Sequence, residues 1–550
     1  MTLASIRSRI FQLHWTTWFM LAVVVMVAAV RIHLLDVSLE RDEGEYAYMG
    51  QLILQGVPPY DIAYNMKFPG TYLGYAVFMA LFGETPAGIH LGVTFMTTAT
   101  ALMLFWLGKR ILDRVMGSIA AAAYALMAAS PCMLGLSGHA THFCAFFATA
   151  GLCLLWRSRQ NEKLLELGLA GVMFGLAVLM KQHAVFIAAW AGIAFAVEKI
   201  FFFDPTKGRR LMPVITLAAG MFLPLILTGL WLWEAGVFGR FWFWAVTYAQ
   251  QYVAILPWKY VPIVFRENFW EAISLCRPVW FLAAVGLVVM WFDERLASVK
   301  GWVLGFFVAS AATTCPGFYF RGHYFLSMLP AVALLGGVAA SSAAHLWKRR
   351  AGNSLVTETP IIAAVLLLTL TIMINRVFWF TLTPALETRT MFTSNPYLEA
   401  EKVAAYIRER LDPGKPIAVV GSEPEIPFLA HRFSATGYIY TFAMMEPQPF
   451  ASHMQKEMIH QIETSAPEYI VYANSDLSWL QRGNSDLSIF RWWTSYQTNY
   501  TLVGVADVIS PMETHYAWDA DAAAYGHLHS TGLEVYHRKA GSPAPTSPHP

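Results

Sequence analysis

The sequence predicts a polytopic α-helical membrane protein with a smaller C-terminal α/β domain. Apolar residues make up 56% of the 550-residue chain and the mean hydropathy is +0.46, and soluble domains of this size rarely have such values. The apolar residues fall in long blocks separated by short breaks with charges, proline or glycine, which is typical of membrane-spanning helices. Beyond residue 384 the long blocks stop and charged residues become frequent.

The long blocks predict eleven membrane spans, at residues 14–34, 88–108, 115–136, 140–157, 164–181, 183–203, 211–234, 278–293, 300–315, 324–346 and 359–382. Arg7 and Arg9 precede the first block, which is long for a signal peptide and lacks a clear small-residue cleavage site, so we interpret it as an uncleaved anchor. The apolar stretch Thr71–Phe82 is too short to cross a bilayer, since a span needs about 20 residues. We interpret it as a re-entrant or interfacial helix.

The distribution of Lys and Arg sets the predicted orientation. With these spans, Lys109, Arg110 and the run 348–350 share one side with Arg7 and Arg9, and that side carries about twice as many Lys and Arg residues as the other. The positive-inside rule places this side in the cytoplasm. The first loop, residues 34–87, and the C-terminal domain are therefore expected outside it, and we predict a bacterial inner (plasma) membrane as the location.

Three regions follow from this division: a transmembrane catalytic domain at 1–383, an extracytoplasmic α/β domain at 384–540 and a disordered tail at 541–550. In the second region, residues 395–411 have helical spacing, and four short apolar runs predict strands at 416–420, 469–472, 501–508 and 533–536. The loop 235–277 is rich in aromatic residues. It is either an aromatic belt or a wall for a lipid or sugar.

The first loop holds the main candidates for chemistry. Four charges lie within the five residues 41–45, in a chain with only 13% charged residues, and charges beside a span are costly unless they face water or have a function. Lys67 lies in the same loop, and Arg321 and His323 lie in another short external loop. A carboxylate that takes a proton and cations that hold an anionic leaving group form such a site. The alternative is a solvated turn that caps the following helix.

Three motifs together resemble those of the GT-C class of membrane glycosyltransferases, in particular the superfamily of protein O-mannosyltransferases and lipid A aminoarabinose transferases. They are Asp42-Glu43-Gly44-Glu45-Tyr46-Ala47 after the first span, Lys67-Phe68-Pro69 at the end of the loop, and His323-Tyr324-Phe325 at the start of a late span. The stretch 421–436 is also similar to the external domain of bacterial members.

The resemblance implies an enzyme that moves a sugar from a polyprenyl-phosphate donor to an acceptor hydroxyl outside the cytoplasm, with inversion at the anomeric carbon. Asp42 is then the expected general base, with Glu43 as the second catalytic candidate. Lys67 is expected to hold the donor phosphate. Further candidates for this phosphate are Arg321, His323 and Tyr324. The acceptor is a lipid, a protein or a glycan, and no nucleic-acid partner is expected.

One stretch departs from the family pattern. Many members place an acidic residue just before the fourth span, often as a metal ligand, but residues 137–143 contain none. His139 and His142 are three residues apart and can share a helical face. They are candidates for a substrate contact or for binding a divalent cation (Mg, Mn or Zn), or are interfacial histidines bonded to water or backbone. Lys181, between two spans, either contacts the donor or extends to the membrane interface.

Two other functional classes remain as alternatives. A membrane transporter or lipid-carrier flippase would be expected to show internal repeats and charged or broken helices near the middle of the membrane, whereas the polar residues here gather at one face. A non-catalytic scaffold with a partner-binding external domain leaves the grouping of Asp42, Lys67 and Arg321 unexplained.

Overall fold

The computed structural model describes residues 14–161, 163–201, 211–351 and 358–541, and the chain forms two compact units. The first unit combines the chain up to Leu34 with His90–Gly229 and Leu256–Thr381. The second combines Leu35–Ile89, Leu230–Ile255 and the chain from Leu382. Arg7 and Arg9 lie outside the described residues, as does the predicted tail beyond residue 541.

The first unit is helical, and each predicted span coincides with a helix. The helices are Trp15–His33, Pro86–Ile111, Arg114–Ala128, Ala140–Asn161, Leu164–Met180, Val185–Phe201, Leu211–Glu234, Val261–Ile273, Arg277–Val289, Lys300–Ala312, Leu329–Ala351 and Thr359–Thr381. Within the described residues, eight helical segments are long and apolar enough to cross a membrane. Three further apolar helices that were predicted as spans are shorter, so a total of eleven spans stays a prediction.

Small residues let helices of this unit approach closely. A Cβ atom added at Gly171 would lie 2.2 Å from the carbonyl oxygen of Leu217, where the helices Leu164–Met180 and Leu211–Glu234 meet. Such contacts are typical of membrane helices, because the lipid gives no hydrophobic drive for helix association and close packing must supply it.

The first loop contributes two helices to the second unit, Arg41–Leu54 and Gly70–Phe82. The first begins with a capping box, in which Glu40 and Glu43 each accept a hydrogen bond from the backbone N–H of the other. The second has 13 residues and covers the predicted stretch Thr71–Phe82. It is helical and short, as expected, and its placement in the membrane stays a prediction.

The aromatic stretch of the second unit is a continuous helical segment in three parts. An α-helical turn at Phe238–Trp242 leads into a π-helix at Phe243–Tyr248 and then into Ala249–Val253. The predicted loop 235–277 is therefore largely helical, since Val261–Ile273 in the first unit is a helix too.

The C-terminal part of the second unit combines a mixed sheet with short helices. The strands are β1 (Ile417–Val420), β2 (Tyr469–Asn474), β3 (Tyr500–Ser510), β4 (Glu513–Trp518) and β5 (Thr531–Arg538). They have the order β1-β2-β5-β3-β4; β1 and β2 are parallel and the other pairs antiparallel. The helices are Pro384–Phe392, Tyr397–Arg410, Glu425–Ala430, Phe442–Met445, Ala451–Ser465, Asp476–Trp479, Ser488–Tyr496 and Ala520–Tyr525.

The core of this sheet explains why the predicted elements form. Helix Tyr397–Arg410 buries Val403 and Ile407 against Val471 of β2 and Val535 of β5. The predicted helix and the four predicted strands are all present. Strand β4 was not predicted; it is an edge strand whose first four residues alternate between exposed and partly buried positions.

Candidate active site

The centre of the candidate site is an ion-paired group in the first loop. The Lys67 ammonium donates hydrogen bonds to Asp42 Oδ1 and to Glu45 Oε2, both at 2.8 Å. Asp42 and Glu45 are three residues apart on the helix Arg41–Leu54, which places them on one face. Asp42 and Lys67 were predicted from the sequence but Glu45 was not, although its helical spacing from Asp42 was the signal for it.

Glu45 is the buried member of this group. Its carboxylate accepts hydrogen bonds from the Tyr72 hydroxyl at 2.7 Å and from Asn65 Nδ2 at 2.6 Å. Burial raises the pKa of Glu45, and the positive charge of Lys67 offsets only part of this effect. Burial alone would lower the pKa of Lys67, but the two carboxylates outweigh it and raise the pKa, so the lysine stays charged.

Asp42 differs from its acidic neighbours in accessibility. Its side chain is 18% exposed, whereas that of Glu45 is fully buried. Glu43 is also buried, and its carboxylate belongs to the capping box of the helix. Asp42 is therefore more accessible than Glu43 and Glu45, and Glu43 has a structural role in the capping box.

A tyrosine from the C-terminal region completes the surroundings of Asp42. The Tyr440 hydroxyl donates a hydrogen bond to Asp42 Oδ1 at 2.7 Å. The Lys67 ammonium lies 4.5 Å from the ring centroid of Tyr46 and 5.5 Å from that of Tyr440, which is within the range of cation–π attraction. Tyr440 is 398 positions from Asp42, and we find no signal in the sequence that could have identified it.

The C-terminal region is anchored to the helix of Asp42 by a buried ion pair. Arg41 donates to Glu423 Oε1 at 2.7 Å and to the carbonyl oxygen of Ser422. One turn along the helix, a Cβ atom added at Gly44 would lie 2.7 Å from the backbone nitrogen of Glu425. The two backbones thus meet where only glycine fits. The stretch 421–436 was selected from the sequence only for its similarity to the external domain of bacterial members, and its contact with the first loop was not predicted.

An aromatic wall, formed by the helical segment Phe238–Val253, lies along the first loop within the same unit. Trp244 stacks on Tyr64 with ring centroids 5.8 Å apart, and Phe241 contacts Tyr60 at 5.4 Å. At the far end of the wall, the Tyr248 hydroxyl donates to Glu446 at 2.7 Å. The aromatic residues are therefore tied to the first loop and to the C-terminal region rather than forming only an interfacial belt.

The other predicted site residues belong to the first unit, where several of them form a second cluster. The rings of His139 and His323 stack with centroids 4.2 Å apart, and His323 contacts Tyr324 at 4.9 Å. The Lys181 ammonium lies 4.0 Å from the ring centroid of Tyr324. His183, which was not among the predicted site residues, packs edge-on against the same ring with centroids 5.6 Å apart.

The two remaining candidates, Arg321 and His142, differ in burial. Arg321 is exposed, and its guanidinium lies 5.6 Å from the ring centroid of Tyr319. His142 is buried and its backbone N–H bonds to the carbonyl oxygen of His139. Of the two predicted histidines, it is His139 that pairs with His323, from a distant part of the chain. The rings of His139 and His323 have nitrogen atoms within 4.8 Å of each other.

Comparisons with known proteins agree with this architecture. Residues 68–233 match the family model of dolichyl-phosphate-mannose-protein mannosyltransferases. No curated protein sequence is significantly similar to the chain.

The fold is similar to that of ArnT from Cupriavidus metallidurans in the apo state, with a TM-score of 0.55 and 14% identity over 92% of this chain and 98% of that chain. The same protein bound to undecaprenyl phosphate matches with a TM-score of 0.55 and 14% identity over 96% and 99%. The apo oligosaccharyltransferase of Archaeoglobus fulgidus matches with a TM-score of 0.50 and 12% identity over 92% of this chain and 75% of that chain. The chain therefore has the GT-C fold, a polytopic helical membrane fold with a C-terminal sheet region, which confirms the predicted fold class.

Proposed function

We propose that this GT-C-fold protein is a membrane glycosyltransferase that moves a sugar from a polyprenyl-phosphate carrier to an acceptor hydroxyl on the extracytoplasmic face, with Asp42 as the general base. The observation that carries the proposal is the reachable carboxylate of Asp42, bonded at 2.8 Å to a lysine that is itself held by buried Glu45. The match to a protein bound to undecaprenyl phosphate supports the class of carrier.

In the proposed reaction, the acceptor oxygen attacks the anomeric carbon of the sugar as its proton passes to Asp42. A new bond joins the acceptor oxygen to this carbon, and the bond from the carbon to the phosphate oxygen breaks. The products are the glycosylated acceptor, with inverted configuration, and the polyprenyl phosphate. Proton removal by a positioned carboxylate contributes about 10²–10⁴-fold to such a step.

Lys67 suits the stabilisation of the leaving phosphate. When Asp42 takes the proton it loses its negative charge, so the attraction of Lys67 to Asp42 weakens as negative charge develops on the phosphate. The ammonium is then available to the phosphate, and a fixed cation at developing charge is a strong source of catalysis.

The first-unit cluster supplies the other proposed donor contacts. Lys181 packs on the ring of Tyr324, and His323 lies against it, so this group combines a cation, a hydroxyl and an imidazole. We assign donor-phosphate binding to Arg321, His323 and Tyr324, with Lys181, His139 and His142 as further substrate contacts. Phosphate needs donors of this kind, and charge-assisted hydrogen bonds are the strong ones.

The proposal includes a divalent cation bound by two histidines. Imidazole nitrogens bind Zn²⁺ and Mn²⁺, and the His139–His323 pair offers two such ligands. Bound there, a cation would supply charge to hold a phosphate group. A chelator should lower transfer, and Mn²⁺, Mg²⁺ or Zn²⁺ should restore it; full activity after chelation would remove the cation from the proposal.

The central test compares two neighbouring acids. Asp42→Asn keeps the size of the side chain but removes the base, and we expect transfer to fall by at least about 10²-fold while the protein still folds. Glu43→Gln is the matched control, because glutamine serves equally in a capping box, and it should keep near wild-type transfer. Normal transfer in the Asp42 variant would refute the proposed base, and loss in the Glu43 variant alone would move the role there.

The product must be identified before it can be measured. Mass analysis of lipids, proteins and envelope glycans from cells with and without the chain identifies the sugar and the acceptor through the modification that depends on the chain. The rate of formation of that product in isolated membranes is then the assay. A chain that changes the distribution of a lipid across the membrane, with no new covalent product, would support the alternative of a flippase.

A further inference from the structure

The carboxylate of Asp42 receives two hydrogen bonds on a single oxygen. Lys67 Nζ donates to Oδ1 at 2.8 Å and the Tyr440 hydroxyl donates to the same atom at 2.7 Å. Two donors that converge on Oδ1 from different elements restrict rotation of the carboxylate. They thereby fix the direction of its second oxygen, Oδ2, which a base needs if it is to meet an acceptor proton at hydrogen-bonding distance.

The Tyr440 hydroxyl is suited to donate rather than accept here. Burial raises the pKa of Tyr440, and the negative charge of Asp42 raises it further, so the phenol keeps its proton. A hydroxyl bonded to a carboxylate forms a charge-assisted hydrogen bond, about twice as strong as one between neutral groups.

The pairing of Tyr440 with Asp42 is set by their chain neighbours. The carbonyl oxygen of Ser422 accepts from Arg41, the residue before Asp42. The hydroxyl of the same serine bonds to Thr441, the residue after Tyr440, accepting from its backbone N–H at 2.8 Å and lying 2.8 Å from its hydroxyl. One residue therefore holds both partners in place independently of the bond between them, which is the arrangement that preorganisation of a catalytic group requires.

We propose that Tyr440, held in place by the contact of Ser422 with Thr441, is a positioning residue for Asp42. The inference rests on the proposed function of Asp42. It gives the C-terminal region a direct part in catalysis, through one phenolic hydroxyl that aims the base.

The test uses a pair of tyrosines from the same segment. Tyr440→Phe removes the hydrogen bond to Asp42. Tyr438→Phe is the matched control, because the Tyr438 hydroxyl donates to a different carboxylate, that of Glu457, at the same distance of 2.7 Å. Tyr440→Phe should slow transfer in membranes by about tenfold, the effect of one hydrogen bond to a charged group, and Tyr438→Phe should stay within about twofold of wild type.

Two further measurements separate positioning from a structural role. Tyr440→Phe should leave the affinity of the purified protein for undecaprenyl phosphate unchanged, and it should lower the thermal unfolding temperature no more than Tyr438→Phe does. Combined with Asp42→Asn, it should cause no additional loss, because a residue that acts only through Asp42 has nothing to position once the base is gone.

The outcomes distinguish this inference from the proposed function. Normal transfer in Asp42→Asn refutes the proposed function and the inference with it. A severe loss in Asp42→Asn with normal transfer in Tyr440→Phe overturns the inference alone. The same holds if both tyrosine variants lose transfer equally, or if the loss in Tyr440→Phe adds in full to that in Asp42→Asn.

Discussion

The ion pair of Arg41 and Glu423 offers a sharp test of how the helix of Asp42 is held. The side chains are 8% and 0% exposed, and Arg41 Nη2 donates to Glu423 Oε1 at 2.7 Å. The guanidinium also lies 5.5 Å from the ring centroid of Tyr397 and 5.6 Å from that of Phe442. Arg41→Met is the chosen perturbation, because methionine keeps an unbranched apolar stem and removes only the charged group and its hydrogen bonds.

The expected cost follows from the burial of Glu423. Removing one partner of a buried pair leaves the other charge without compensation, which destabilises proteins by about 3–5 kcal/mol. For a unit of about 250 residues, each kcal/mol shifts the unfolding temperature by about 2–4 °C. Arg41→Met should therefore lower the apparent unfolding temperature of the purified protein in detergent by about 6–20 °C.

The double variant Arg41→Met/Glu423→Gln is the matched control. It removes the uncompensated charge as well as the cation, and replacing both partners of a buried pair is far less costly than removing one. It should recover most of the lost stability at the same scan rate. The reasoning is refuted if the single variant unfolds at the wild-type temperature, or if the double variant is as unstable as the single one.

Two further predictions concern the second unit. Burial and then the charge of Glu423 raise the pKa of Glu425, so the folded state keeps a proton that the unfolded state releases. The stability that this bound proton contributes is complete below the ordinary pKa of a glutamate, and it is lost as pH rises through the raised pKa of Glu425. Between about pH 5 and about pH 8 the unfolding temperature should fall less steeply in Glu425→Gln than in wild type, and equal slopes would contradict this. For orientation, a reporter fused to the C-terminus of the full chain should signal from outside the cytoplasm; a cytoplasmic signal would reverse the predicted topology.

Much of the fold could be predicted because long apolar runs have few possible structures. A run such as 359–382 has to form a helix if it is to satisfy its backbone in lipid, and the structure has the helix Thr359–Thr381. Strands β1 and β2 were predicted from short buried runs between polar breaks. Strand β4 was not, because Glu513, Thr514 and His515 carry no apolar signal, and its strand conformation comes from pairing with β3.

Around Asp42, the contacts could be predicted from the sequence only where the residues are close in the chain. Asp42 and Lys67 lie in one loop, 25 positions apart, so their charges could be considered together. Glu423 and Tyr440 lie 382 and 398 positions from their partners. No local sequence pattern predicts such contacts. They arise because two backbones approach closely, and this approach is possible only because residue 44 is a glycine.

Variants of the buried pair can distinguish a role in stability from a role in catalysis. Arg41 is the chain neighbour of Asp42, yet its guanidinium serves the contact with Ser422 and Glu423. If the pair only anchors the C-terminal region, the stable double variant should retain transfer. If the hydrogen bond from Arg41 to Ser422 also sets the distance between Asp42 and Tyr440, the double variant should unfold normally and still lose transfer to the extent that Tyr440→Phe does. The second result is the one expected here, because Ser422 is the residue that joins the chain neighbours of both groups.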